Sequence, residues 1–193
     1  TYDRVLRNFV KLDGDGNFER IGWQNTKADK RDAGSPLPEA SAPLKIDLQI
    51  ENPVIDKTQF YSGTPLFLSV RLSRASHLSC YHASPQGNVI RLLPNMSNPA
   101  SLVSANQTIR IPDWMSPNPP FVLDTGAPGT ESAICLATSE DPMKKLPAPY
   151  QVPALTLVQG ASGVEGVRQQ FEQAFGKEAV ASRTLKWQVL PKP

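Results

Sequence analysis

The chain has 193 residues, 39% apolar and 20% charged, with a formal net charge of +2, nineteen prolines and two cysteines. That length holds one full domain plus something smaller, and prolines set between apolar runs favour many short strands over long helices. Lys and Arg are scattered rather than blocked, which excludes nucleic acid and an anionic membrane surface as expected partners. The apolar runs stop well short of the roughly 18 residues of a transmembrane segment.

The chain begins at Thr1 without a signal-peptide pattern, so it reads as a processed chain or a fragment of a larger one. Residues 1–23 are expected to form a hairpin or the end of a preceding domain. Val5-Leu6 and Phe9-Val10 precede the turn Asp13-Gly14-Asp15-Gly16-Asn17, and Phe18 to Trp23 follow it. The acidic turn invites a calcium reading. It fails the EF-hand pattern, with Phe18 in place of the sixth-position Gly and Gln24 in place of the twelfth-position Glu, so a plain turn is expected. Residues 24–44 carry clustered charges and Pro36, Pro38 and Pro43 with no apolar period, and read as a linker or long loop.

Residues 45–193 read as a β-sandwich domain. Ile46, Leu48 and Ile50 alternate with polar residues. Leu66, Leu68, Val70 and Leu72 do the same, which is the period of a strand with one buried face. A second run, Leu78 to His82, is turned by Pro85-Gln86-Gly87-Asn88 into Val89 to Leu93, and the run stops at Pro94-Asn95. Gln107 to Ile111, Phe121 to Leu123 and Ser132 to Thr138 complete about seven short strands, a mainly β, immunoglobulin-like sandwich. At the C-terminal end, Ser162 and Glu165 fit a capping box. Val164, Val167, Phe171 and Phe175 then recur at helical spacing, with Gly176 as the stop. Thr184 to Leu190 alternates again as a closing strand, and the helix before it is expected to pack across an open end or edge of the sandwich.

Cys80 and Cys135 each lie inside a strand-like run. They read either as a disulfide joining two strands, which implies an oxidising compartment, or as two buried free thiols. The first would close a loop of about 55 residues, worth roughly 4 kcal/mol in the chain-entropy model. Two cysteines do not make a thiolate metal site, and His77 and His82, five apart on one strand, point to opposite faces, so no metal is expected. Nucleophile-elbow, zinc-protease, phosphate-loop and dinucleotide motifs are missing, so no catalytic residue and no cofactor are expected, and the chain is not read as an enzyme. The candidate partner-binding residues are Trp23, Tyr81 and Trp114, aromatics placed where packing does not obviously require them.

From about residue 46 to 140 the chain resembles DUF4384, a bacterial domain family of unknown function. The resemblance rests on Gly63-Thr64-Pro65-Leu66, on Leu78-Ser79-Cys80-Tyr81, on Gly87 to Asn95 (G-x-V-x-R-L-x-P-N), and on Gly129-Thr130-Glu131 with its following strand. The helix and strand of the tail look similar as well. The resemblance implies an immunoglobulin-like accessory module, and it carries no catalytic residues. The expected function is therefore a non-enzymatic protein-interaction or assembly module of a bacterial cell-envelope or secretion-associated protein. It is expected to be periplasmic or outer-membrane-associated, with a protein partner in the envelope and a place in an oligomer or a larger chain. The alternative is a module that binds carbohydrate, either peptidoglycan or surface polysaccharide.

Overall fold

The structure is a computed structural model that describes residues 10–12, 18–20, 43–51 and 60–193. The chain divides into two units, Thr1–Ala42 and Pro43–Pro193. In the first, strands β1 (Val10–Leu12) and β2 (Phe18–Arg20) pair antiparallel, with Val10 opposite Arg20. The acidic turn between them, Trp23, and residues 24–42 of the expected linker lie outside the described residues.

The second unit is mainly β, with two sheets. The smaller sheet runs in the order β3 (Ile46–Ile50), β5 (Leu68–Leu72), β9 (Thr108–Ile111). The larger runs β4 (Phe60–Tyr61), β11 (Ala181–Leu190), β10 (Gly129–Thr138), β6 (Ser76–Ala83), β7 (Val89–Leu93), with β8 (Leu102–Val103) also on β6. Leu48, Leu68, Val70, Ile109 and Ile111 of the small sheet pack against Leu78, Cys80, Ala133, Cys135 and Val189 of the large one. This is the alternating inward face of a sandwich.

The large sheet is covered on its other face too. Helix α1 (Gly163–Phe175) lays Val164, Val167 and Phe171 against Tyr81, Val89, Ile134 and Leu136. Two short 3-10 turns, Pro142–Lys144 and Ala148–Tyr150, add Leu146 and Tyr150 to that second core. Strands β6 and β10 are therefore apolar on both faces, the pattern of strands buried on two sides. The helix thus covers a sheet face rather than the open end or edge expected for it.

Other local expectations are corrected in the same way. Ser162 stands at the helix N-cap but makes no side-chain cap bond; Glu165 instead meets Arg168 at 2.8 Å. Gly176, at φ +89°, ends the helix as expected, its amide donating to the Glu172 carbonyl. Residues 121–123 form no strand. Leu123 accepts from the Leu66 amide and the pairing is a single bridge, Pro65 to Asp124. β11 is an inner strand, paired antiparallel with β10 from Gly129↔Val189 to Ala137↔Ala181 and parallel with β4.

Cys80 and Cys135 are register partners on β6 and β10 with Cα atoms 4.1 Å apart, and they form a disulfide. It joins neighbouring strands of one sheet. Thiol titration of the unfolded, unreduced protein should find no free sulfhydryl, and reduction should lower the unfolding free energy by roughly 4 kcal/mol. Trp187 is nearly buried beside Val189 in the inter-sheet core. Trp187→Ala should cost roughly 3–5 kcal/mol in a denaturant melt, where a peripheral residue would cost under about 1.

Candidate functional site

Three polar constellations stand out in the second unit, and they differ in what they have left to offer a ligand. The first lies at one end of the inter-sheet core. Glu131 of β10 is completely buried. Its Oε1 accepts the Gly126 amide at 2.7 Å; its Oε2 accepts the Trp187 indole N–H at 3.0 Å and lies 3.2 Å from His82 Nε2. The His82 ring stacks on Trp187, with centroids 5.7 Å apart. Burial raises the Glu131 pKa, but the His82 hydrogen bond, the Gly126 amide, the charge of His82 and the Trp187 hydrogen bond together outweigh it and hold the carboxyl below its usual value. Every carboxylate oxygen is thus engaged from inside, and the cluster is a structural lock.

The second is a His, Ser and Asp set. His77 Nδ1 lies 2.8 Å from Ser101 Oγ, and Ser101 Oγ donates to Asp141 Oδ1 at 3.2 Å. In a hydrolytic triad the imidazole stands between serine and carboxylate and takes the serine proton. Here the serine stands in the middle and gives its proton to the carboxylate, so His77 must donate to it. Asp141 Oδ1 also accepts the Met143 amide and caps the 142–144 turn. The set ties β6 and residue 101 to that turn.

The third is a cleft around Arg91. A register shift between β6 and β7 sets Cys80 opposite Leu93 but Tyr81 opposite Arg91, leaving Leu92 as the extra residue of a bulge. The unbroken hairpin register up to Tyr81 places Arg91 with Val89 on the outer face of the sheet, next to Tyr81 and Met143. The residue is only 8% exposed. Nη1 donates to Met143 Sδ at 2.7 Å, Nε is buried with no partner, and the guanidinium has no carboxylate partner among the described residues. Burial lowers its pKa, opposed by the Tyr81 hydroxyl. Arg91 lines a cleft of about 370 Å³ together with Pro94, Met96, Pro99, Phe121, Pro153 and Leu155, and also the adjoining cleft that holds Met143 and Asp141. Leu155 is held at φ +65°, with its amide donating to the Arg91 carbonyl at 2.8 Å. A leucine at positive φ is strained and persists only where its surroundings impose it.

Of the three residues expected at a partner site, Tyr81 and Trp114 lie among the described residues. Tyr81 is corrected from surface anchor to core: it is fully buried and packs edge-on against Tyr150 and Phe171, 6.3 and 6.0 Å between centroids. Burial pushes its hydroxyl pKa up, with Arg91 pulling the other way. Trp114 sits in a loop, 36% exposed, with the Arg110 guanidinium 5.8 Å from its ring centroid. Trp23 lies outside the described residues. Among the described residues no three His, Cys, Asp or Glu side chains converge on a metal position, and no described helix is long and apolar enough to cross a membrane. Arg91 stands in the strand run read from the sequence without a role assigned to it. The available signal was a charge in phase with buried Val89 on a strand apolar on both faces.

Residues 59–141 match the family model described as "Domain of unknown function (DUF4384)". The match contains the segments from Phe60 to Asn95 and from Gly129 to Thr138 that carry the resemblance; the helix and strand of the tail lie beyond it. No curated protein and no solved structure matches the chain.

The Glu131 cluster generates a pH prediction. A carboxyl held below its unfolded value, about 4.3, contributes stability that is complete above that pH and is lost as pH falls through the folded value. Glu131→Gln replaces one acceptor with an N–H donor facing another donor. It should cost about 1–3 kcal/mol at neutral pH and flatten the acid limb of a stability–pH curve. An unchanged acid limb would mean that other carboxyls govern it.

Proposed function

We propose that this chain is a non-enzymatic protein-interaction or assembly module of a bacterial cell-envelope or secretion-associated protein, periplasmic or outer-membrane-associated, and that the Arg91 cleft is its contact surface. The observation that carries this reading is the cleft itself, which has mostly apolar walls and is lined also by Arg91, a cation with no carboxylate partner among the described residues. Met96, 83% exposed, stands at its rim, and Leu155 and Leu157 are also exposed. Apolar side chains grouped at a concave site are what a protein partner covers. A rigid floor supports the site: β7 is paired to β6, and its outer edge is bridged by Leu157 at Ile90 and by the Val158 amide on the Val89 carbonyl. The disulfide supports an oxidising compartment. The carbohydrate alternative draws less support, because Tyr81, Tyr150 and Trp187 are turned inward and the ring of Trp114 already faces a guanidinium.

A photoreactive amino acid placed at Met96 in the protein as produced in its cell should yield a discrete crosslinked partner. The same group at Gln173, exposed on the helix surface, should not. Equal labelling at both positions, or none at Met96, would count against this surface.

A further inference from the structure

We propose that the Arg91 cleft takes the C-terminal carboxylate of a partner polypeptide whose last side chain is apolar, with the Arg91 guanidinium receiving the carboxylate. This rests on the interaction reading above and specifies its chemistry.

An unpaired cation in a protein interior is among the costliest groups a fold can hold. Arg91 has Nε buried and unmatched, a thioether as its sole hydrogen-bond acceptor, and no acidic partner among the described residues. A guanidinium is a planar fork that fits a carboxylate through two parallel hydrogen bonds. The missing partner is therefore a carboxylate supplied from outside.

The walls decide which carboxylate. Asn95, the other polar lining residue, is already used: its Nδ2 donates to the Leu92 carbonyl, and its Oδ1 accepts the Ser97 and Asn98 amides. An internal Asp or Glu would carry two flanking peptide units into the cleft, and the apolar walls give them few partners. A chain terminus brings its carboxylate and its last side chain on one Cα. The charge then meets Arg91 while the side chain meets Pro94, Phe121 and Leu155. Terminal carboxylate capture is an established mode of peptide recognition. Asp141 lines the adjoining cleft that shares Arg91, and its Oδ1 is engaged by Ser101 and the Met143 amide. Its charge disfavours an anion on that side, so the carboxylate enters from the side of Phe121 and Pro153.

The test uses the purified chain with N-acetyl-leucine, N-acetyl-leucinamide and hexanoate as probes, read by nuclear magnetic resonance at the Arg91 Nε–H and the Leu155 amide. N-acetyl-leucine should shift both signals, the amide should bind at least tenfold more weakly, and hexanoate should bind more weakly than N-acetyl-leucine. Arg91→Met should abolish the shift at Leu155 while melting at or above the parent temperature, because an apolar chain of similar length removes the uncompensated charge. Arg91→Lys, which keeps the charge and loses the fork, should weaken binding at least fivefold. Equal binding of acid and amide overturns the proposal. So does hexanoate binding as tightly as N-acetyl-leucine, which would make a free small carboxylate the occupant. A marked fall in the melting temperature of Arg91→Met would make the arginine a structural strut. Crosslinking from Met96 that persists in Arg91→Met refutes the carboxylate anchor and leaves the interaction reading standing.

Discussion

The second unit depends on the pairing of β10 with β6 on one side and β11 on the other. β10 is enclosed by neighbours along nearly its whole length and by apolar layers above and below. Ala133, Cys135 and Ala137 point into the sandwich, and Ile134 and Leu136 point beneath the helix. A strand in that position has no polar face to orient it, so its register comes from its partners. Those partners arrive from distant parts of the chain, β6 about fifty residues earlier and β11 about fifty later. Apolar burial on two faces and a complete ladder of main-chain hydrogen bonds therefore act on the same ten residues.

Period and turn chemistry reveal much of this in the sequence. Leu66, Leu68, Val70 and Leu72 alternate with more polar neighbours because one side of that segment faces the core, and all four are buried. Gly87 turns β6 into β7 at φ +83°, a conformation that glycine adopts without strain. What alternation does not reveal is a second covered face. Leu78 to His82 reads as an ordinary short strand, yet Tyr81 looks toward the helix while Cys80 looks toward the other sheet. An aromatic on such a strand resembles a surface anchor until the covering helix is placed. The helix itself shows plainly in its apolar spacing. Where it docks is a long-range matter, as is the insertion of β11 beside β10, and no local pattern reports either.

The candidate site was less legible for a related reason. Arg91 follows Val89 by plain alternation, but that the helix and turns cover this side of the sheet is a long-range matter; the bulge at Leu92, one extra residue with no compositional mark of its own, sends both Leu92 and Leu93 to the inter-sheet core. Glu131 stands in the Gly129-Thr130-Glu131 segment that carries the family resemblance, and only the folded chain brings it to Gly126, His82 and Trp187. The residues that stand out by type alone, Tyr81 and Trp114, are engaged internally. Arg91, unremarkable within its strand, combines a buried, unpartnered Nε with a place in the wall of a cleft.

The disulfide has a consequence for the order of events in the life of the chain. Both sulfur-bearing residues are closed off from solvent, beneath the small sheet and within the strands around them. An oxidant or an exchange catalyst works by direct encounter with a thiolate, and the folded sandwich leaves no approach to either sulfur. Oxidation has to come while β6 and β10 are still uncovered. A chain that closed first in a reducing space would carry its thiols sealed inside. Oxidation and folding are therefore coupled: for the bond to form efficiently, the polypeptide must meet its oxidant before its two sheets meet.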